Sequence, residues 1–383
     1  MGREIAIVGV GETAPARRTE KGLRALVVEA VVAALADAGI DAGEVDGIVT
    51  DSVIMPTTVP HDYVSGQLGI RRRFDAAISY GGAGIVAAPL LAEAAIASGQ
   101  ADVVVVYFGV DWGSRPDGPY GFHDLYPAKL AFEKPYGFNG QPAYFALWAQ
   151  RYMHEFGVDE GHLAAVSVAQ RRHARLNGGA QAMRPLTTAD YFETRMISDP
   201  LRVPDCCLIS DGAGAYVMTS AERARDCAKP PVRVLGTGFA AGPETGDDVF
   251  TQHADLLSFP AAAEAAEVAC RQAGVGIDAV DFAEVYDCFS ISVLLQLEDL
   301  GFCGKGEAGH FVAEGHTGIG GRLPVNTHGG LLSYSYRLGI EHVVEAVRQL
   351  RGEAGAAQVE GAEIGLVGGL SIPDYGVLLL GRG

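Results

Sequence analysis

Apolar residues follow two spacings along this chain, and the same succession of spacings occurs twice. Ile5-Ala6-Ile7-Val8-Gly9-Val10-Gly11 is an unbroken apolar run of strand length, as a strand covered on both faces requires. Leu26, Val27, Ala30, Val31 and Ala34 then recur at helical spacing within Leu23 to Ala38, and Gly39 supplies the stop. Val45 to Val49 predicts the next strand. Ile78-Ser79-Tyr80-Gly81-Gly82-Ala83-Gly84 passes into small residues and then into an Ala-rich helix through Ile96; after Gly99, Ala101 to Phe108 reads as a strand.

The order then returns. Val234-Leu235-Gly236-Thr237-Gly238 matches Ile7-Val8-Gly9-Val10-Gly11. At a constant offset of 235, Glu29 meets Glu264, Ala30 meets Ala265, Ala34 meets Ala269, Ala38-Gly39 meets Ala273-Gly274 and Val45-Asp46 meets Val280-Asp281. Each half closes on a strand with an aspartate at its mouth, Asp211 to Met218 and Asp374 to Leu380. Two similar α/β halves are expected, 1–228 and 229–383, joined near Ala228 to Pro231. An insertion at about 111–200 interrupts the first half; 14 of the 31 aromatic residues lie between Tyr107 and Phe156, which suits a satellite core, an oligomer contact or the wall of a large apolar pocket. Gly9-Val10-Gly11 is not read as a nucleotide fingerprint: the third glycine is missing and Glu12-Thr13-Ala14-Pro15 does not open a helix, so a structural turn is expected.

A length of 383 residues suits two such halves. The net charge of −18 argues against nucleic acid and anionic membrane as partners, since both need a basic footprint. An anionic small ligand needs only a local patch. Arg171, Arg172, His173 and Arg175, within the predicted helix Ser167 to Asn177, form the densest basic cluster: a phosphate site or a solvated helix face. No apolar run reaches membrane-spanning length, and Arg3-Glu4 before a short strand is not a secretion signal. Cys206, Cys207, Cys227, Cys270, Cys288 and Cys303 form no Cys-x-x-Cys pair, as in a cytoplasmic protein with reduced thiols.

Three stretches carry candidate chemistry. The turn at Gly81 opens a helix, where free amides and the dipole favour an oxyanion; it holds no thiol, and its hydroxyls are Ser79 and Tyr80. In the second half, Glu284-Val285-Tyr286-Asp287-Cys288-Phe289-Ser290 leaves a predicted strand, and Val325 to Gly339 carries Asn326, His328, a Gly329-Gly330 turn and Tyr336 before the helix Ile340 to Leu350. Polar groups crowded at such turns are costly unless paired or used, and two corresponding stretches in a duplicated fold favour one shared pocket between the halves.

These residues resemble the thiolase superfamily, in its sterol-carrier-protein-type branch. The resemblance covers nearly the whole chain and rests on Arg195 to Val217, Glu284 to Phe289, Leu297 to Glu307, and Asn326 to Gly339 with the Gln349-Leu350-Arg351-Gly352 helix end. It implies a five-layer α-β-α-β-α thiolase-like fold of two βαβαβαββ halves with an inserted loop domain, a homodimer, and acyl-coenzyme A substrates. The family's nucleophilic cysteine aligns with Gly81 and its second catalytic cysteine with Leu366, ahead of Gly368-Gly369; Tyr286 and Tyr336 stand where the family has histidines. Glycine cannot attack a thioester, so a Claisen thiolase is not expected.

The pattern is instead similar to thiolase-like aldolases of steroid side-chain degradation. These cleave a β-hydroxyacyl-CoA without an acyl-enzyme and work with a small DUF35 protein, a zinc ribbon joined to an OB-fold. The resemblance implies Tyr286 and Tyr336 as the acid/base pair, and Asn326, His328 and the backbone amides near Gly81 and Gly369 as orienting or oxyanion groups. Arg171, Arg172 and Arg175 are the candidates for the CoA phosphates. A heterotetramer with the DUF35 partner is expected, and no metal and no cofactor beyond the CoA of the substrate. The competing readings are a catalytically inactive acyl-CoA- or lipid-binding subunit and a thiolase that uses Cys288.

Overall fold

The Gly-x-Gly of each half lies inside a strand, not in a turn. In β1 (Ile5–Glu12), Gly9 and Gly11 are covered by α1 (Leu23–Ala38) at such close range that a Cβ on Gly9 would stand 2.2 Å from the Ala34 carbonyl oxygen, and one on Gly11 2.5 Å from that of Ala30. The second half repeats the contact: Gly236 meets the Ala269 carbonyl at 2.2 Å and Gly238 that of Ala265 at 1.9 Å. Bare backbone lets an alanine-faced helix settle directly on the strand. The alanines matched at the offset of 235 are the ones that make this contact, so the sequence repeat is a repeat of packing.

The structure, a computed structural model, describes residues 4–383 apart from 53–57, 117, 120–126, 128, 139 and 244–254. The first half continues with β2 (Gly47–Asp51), α2 (His61–Leu68), β3 (Phe74–Ile78), α3 (Gly84–Ala97) and β4 (Val103–Asp111). The insertion contributes α4 (Gln141–Phe156), α5 (Glu160–Asn177), α6 (Thr188–Phe192) and the short pair β5 (Met196–Ser198) and β6 (Leu201–Arg202). β7 (Asp211–Ser220) closes the half, and α7 (Ala221–Ala224) leads into the second. There follow β8 (Val232–Ala241), α8 (Pro260–Ala273), β9 (Phe282–Val285), α9 (Ser290–Asp299), α10 (Ala308–Ala313), α11 (Gly330–Ser333), α12 (Ile340–Arg351), β10 (Ile364–Ser371) and β11 (Asp374–Arg382).

The strands run in the order β3-β2-β4-β7-β1-β8-β11-β10-β9, mirrored about the β1–β8 junction. That junction has only two register pairs, Ala6 with Arg233 and Ile7 with Val232, so the halves are separate sheets joined by a narrow seam. α1 covers the first sheet on its outside and α8 the second. Between the sheets lie α3 and α12, each touching strands of both halves, which gives the layers α-β-α-β-α. Both central helices are buried around most of their circumference, as a middle layer requires.

The second half departs from the expected strand count. Its third strand is reduced to one parallel bridge, Ala283 with Val325. At the next residue the chain turns out of the sheet: Asn326 has φ 52°, and its side-chain amide accepts from the Val285 N–H at 2.7 Å and donates to the Val285 carbonyl at 3.0 Å. A side chain thus takes over the pairing that a longer strand would have made.

The aromatic insertion packs onto the second half and joins the main core instead of forming a satellite. Phe145 stacks on Phe289 with centroids 4.4 Å apart, and Trp148 tilts against Phe259 at 4.9 Å. Phe132 and Tyr136 remain exposed. Among the described residues, no helix is long and apolar enough to cross a membrane.

One buried anion ties the halves together. Glu12, at the end of β1, accepts from Arg337 and Arg348 of the second half and from the Tyr334 hydroxyl at 2.7 Å. Burial pushes its carboxyl up, but the two guanidiniums and the hydroxyl outweigh this and hold it at about 2. Arg337 is itself wholly buried, so removing Glu12 strands a charge. Glu12→Gln is expected to lower stability at neutral pH by about 3–5 kcal/mol in denaturant titrations. The folded carboxyl lies below its unfolded value of 4.5, so this stabilisation is complete above that value and lost as pH falls toward about 2. The gap between wild type and variant should therefore close across that interval; a gap that persists to its acid end contradicts the assignment.

Candidate active site

Two tyrosines from different segments of the second half meet hydroxyl to hydroxyl. Tyr286 leaves the end of β9; its N–H donates to the Gly368 carbonyl at 3.1 Å, and its carbonyl accepts from Ser292 Oγ at 3.1 Å and Gln296 Nε2 at 2.7 Å. Tyr336 sits in the turn between α11 and α12, where its N–H donates to Ser210 Oγ at 3.0 Å. The two phenol oxygens are 2.6 Å apart, and each residue is 6% exposed. Trp112, just past β4, stacks on Tyr336 with ring centroids 4.4 Å apart and planes 23° apart. The first half therefore grips one tyrosine and the second half positions the other.

Absent side chains make the room. A Cβ on Gly82 would stand 2.6 Å from Tyr286 Cε2 and 2.3 Å from the Leu370 carbonyl oxygen. One on Gly369 would stand 2.5 Å from the Gly82 carbonyl oxygen. Gly81 opens this turn with φ 59°, a conformation open to glycine at little cost. The glycine turn ahead of α3, the end of β10 and the Tyr286 ring thus converge on one place, with Gly81 and Gly369 on the same side as the tyrosine pair.

Burial pushes both phenols well above the ordinary tyrosine range, so the pair stands neutral. Cys207 donates its N–H to the Cys288 carbonyl at 2.9 Å beside them. Burial also pushes both thiols up, and that of Cys206 to about 12. A thiol held protonated in this way is a poor nucleophile, which removes the support for a thiolase acting through Cys288.

The structure gives other work to several of the expected site residues. The Asn326 amide pairs with the Val285 backbone through its oxygen and one of its two N–H groups and so braces β9. His328 is 1% exposed and turns its Nδ1 toward Glu284 Oε2 at 3.0 Å. Both residues stand out in the sequence as polar groups beside a Gly-Gly turn; the fold turns one toward the Val285 backbone and the other toward Glu284. The basic cluster also divides. Arg171 donates to Ser333 Oγ at 3.0 Å and to the Arg184 carbonyl at 2.9 Å, which ties α5 to α11, while Arg172 and Arg175 are exposed.

Residues that sequence reasoning passes over stand close by. Asp287 accepts from the N–H groups of Leu331 at 2.9 Å and Leu332 at 3.1 Å and faces His342 Nε2 at 3.2 Å. His342 also faces Glu284 at 3.5 Å. Burial pushes the His342 imidazole down, but the two carboxylates pull it up to about 10, and burial of Glu284 is outweighed by its histidines, which hold it at about 2. Trp112 carries a weak signal as an aromatic directly following a strand; His342 carries none, since a helix of valines and glutamates hides a buried histidine.

Comparison with known proteins fits this geometry. The family described as thiolase C-terminal domain-like matches residues 242–374. A steroid side-chain-cleaving aldolase of Thermomonospora curvata is 35% identical, with 98% of this chain and 97% of that protein covered. A 17-hydroxy-3-oxo-4-pregnene-20-carboxyl-CoA lyase of Mycobacterium tuberculosis is 38% identical, with 98% and 99% covered. The solved structure of an Ltp2-ChsH2(DUF35) aldolase superposes with a TM-score of 0.91 at 35% identity, covering 99% of this chain and 98% of that one.

Gly82→Ala tests how tightly the pair is packed. The added methyl meets a backbone oxygen and an aromatic ring, neither free to yield, so the variant should lose about 1–3 kcal/mol of stability by chemical denaturation. A variant as stable as the wild type would show that Tyr286 does not fill this space.

Proposed function

The chain belongs to the thiolase superfamily, among its steroid side-chain-cleaving aldolases, and we propose that it is a carbon–carbon lyase that cleaves a β-hydroxyacyl-CoA by a retro-aldol reaction. The observation that carries this reading is the 2.6 Å contact between the Tyr286 and Tyr336 hydroxyls, beside a turn whose nucleophile position is glycine. Acyl transfer needs a thiol there. Retro-aldol cleavage needs only a route for one proton and donors for an enolate.

The pair supplies that route. The β-hydroxyl passes its proton to one phenol oxygen while that phenol passes its own to the other. The Cα–Cβ bond breaks; its electron pair enters the thioester as an enolate, and Cβ becomes the ketone carbon. As it takes up that proton, the second phenol gives its own to the developing carbanion at the α-carbon, so neither oxygen ever holds two protons. One proton enters the pair and one leaves, so no free phenolate accumulates and no acyl-enzyme forms. The backbone amides near Gly81, ahead of α3, and near Gly369, in β10, are proposed to hold the enolate oxygen. Exposed Arg172 and Arg175 are proposed for the CoA phosphates; Arg171, already engaged, is not.

The proposed substrate class is a bulky ring system, a steroid above all, carrying a β-hydroxyacyl-CoA side chain, with a ketone and propionyl-CoA or acetyl-CoA as products. The reaction draws on no cofactor besides the CoA of the substrate. A homodimer joined by a small DUF35 protein into a heterotetramer completes the reading, supported by the similar aldolase named with its DUF35 partner. A cytoplasmic setting fits cysteines that are all free.

The test mixes the chain, a DUF35 partner and a β-hydroxyacyl-CoA, and measures ketone and shortened acyl-CoA by mass spectrometry. Tyr286→Phe and Tyr336→Phe should each lower kcat at least ~100-fold, and their unequal effects on the two half-steps would assign the ends of the relay. Cys288→Ala should keep most of the turnover. Full activity in either phenylalanine variant removes that tyrosine from the mechanism. Binding without turnover, partner present, returns the chain to the role of an inactive acyl-CoA-binding subunit.

A further inference from the structure

The segments that carry the tyrosine pair also bring together a set of buried ligand atoms. Glu284 on β9, His328 ahead of α11 and His342 in the first turn of α12 each offer one atom, all within 4.8 Å of one another. None of the three residues is more than 1% exposed. Glu284 Oε2 lies 3.0 Å from His328 Nδ1 and 3.5 Å from His342 Nδ1. Yet Glu284 Oε2 and both ring nitrogens of both histidines lack a well-formed hydrogen bond. Buried polar atoms left in this state destabilise a fold, and these five belong to one cluster of three residues.

The neighbouring groups orient these atoms without satisfying them. Thr327 gives its N–H at 2.9 Å and its hydroxyl at 2.7 Å to Glu284 Oε1, which leaves Oε2 facing the imidazoles. Asp287 faces His342 Nε2 at 3.2 Å, on the side of the ring away from Nδ1. A carboxylate behind an imidazole is the usual outer support of a metal-bound histidine. The centroids of His328 and His342 are 5.1 Å apart with planes at 84°, which suits two imidazoles on one four-coordinate ion with bonds of about 2.0–2.1 Å.

We propose that Glu284, His328 and His342 bind one divalent ion of the first transition row, zinc by preference, on the segments that carry Tyr286 and Tyr336. Two neutral imidazoles and a carboxylate form a borderline donor set that suits such an ion. The ion acts by position. Its ligands lie two residues before Tyr286, two after Asn326 and six after Tyr336, so it fixes the relative placement of the strand, loop and helix that hold the pair. No bond of the cleavage reaction is made or broken on it. The rival way to neutralise the same carboxylates is a proton on each imidazole, and metal content separates the two.

The full chain is purified without affinity tag and without its DUF35 partner, whose zinc ribbon would add metal of its own, from cells grown with added zinc. Inductively coupled plasma mass spectrometry should find one ion per chain, falling below about a tenth in Glu284→Gln and His342→Gln. Because those variants could misfold, a second measurement uses chelator-treated wild type titrated with Co²⁺ alone. It should show the visible d–d bands of a four-coordinate site and a raised melting temperature, with the bands absent in His328→Gln. Wild-type protein with less than about a tenth of an ion per chain and no cobalt bands overturns the proposal, as does metal retained in both variants. Neither readout involves turnover, so this outcome is independent of the lyase assignment.

Discussion

Helix α12 is buried on nearly every face and still carries Glu341, His342 and Glu345, with Arg337 just ahead of it. Placing charge in a dry interior costs several kcal/mol per ion unless a partner is built in beside it. That cost dictates what the surrounding strands must present. β1 of the first half supplies Glu12 to Arg337 and Arg348, and the end of β9 supplies Glu284 and Asp287 to the histidines. With its neighbours held on both sides, the turn between α11 and α12 has one place to go, and Tyr336 goes with it. The electrostatics of the middle layer thus come first, and the tyrosine pair is their consequence.

Volume sets the second condition. The ring of Tyr286 fills the space that a side chain at position 82 would occupy, and the end of β10 closes on the same turn at Gly369. The phenol pair therefore depends on this glycine turn. The helix dipole behind Gly81 remains, and it favours negative charge on a bound oxygen whether that oxygen belongs to a tetrahedral adduct or to an enolate. What has changed is the chemistry beside the turn, where two neutral phenols in contact stand in place of a thiolate and its base.

Much of the fold is legible because it follows spacing. The strand of Ile5 to Gly11, the helix of Leu23 to Ala38 and their counterparts near Val234 and Ala261 announce themselves by period, and the repeat predicts two similar halves. The Gly-x-Gly reads wrongly as a turn because glycine's commonest local use is conformational; its use here is to clear space for Ala34 and Ala269, residues distant in sequence. Tyr286 and Tyr336 stand out as replacements within a family pattern. Asn326 and His328 stand out equally as polar groups beside glycines; the Asn326 amide proves to pair with the Val285 backbone, and His328 to turn toward Glu284. Sequence shows that a polar group is present and not which neighbour consumes it.

Local periodicity, glycine placement and the motifs of a known family therefore determined the architecture, the repeat and the choice of Tyr286 and Tyr336 as candidates, because each is encoded in residues near one another along the chain. Tertiary structure alone decided that the two phenols touch, that Trp112 of the first half stacks on one of them, and that Glu284, His328 and His342 form a single cluster. These are contacts between segments tens to hundreds of residues apart. They exist because two sheets close on a common pair of helices, and no spacing along the chain records how that closure aligns the side chains it brings together.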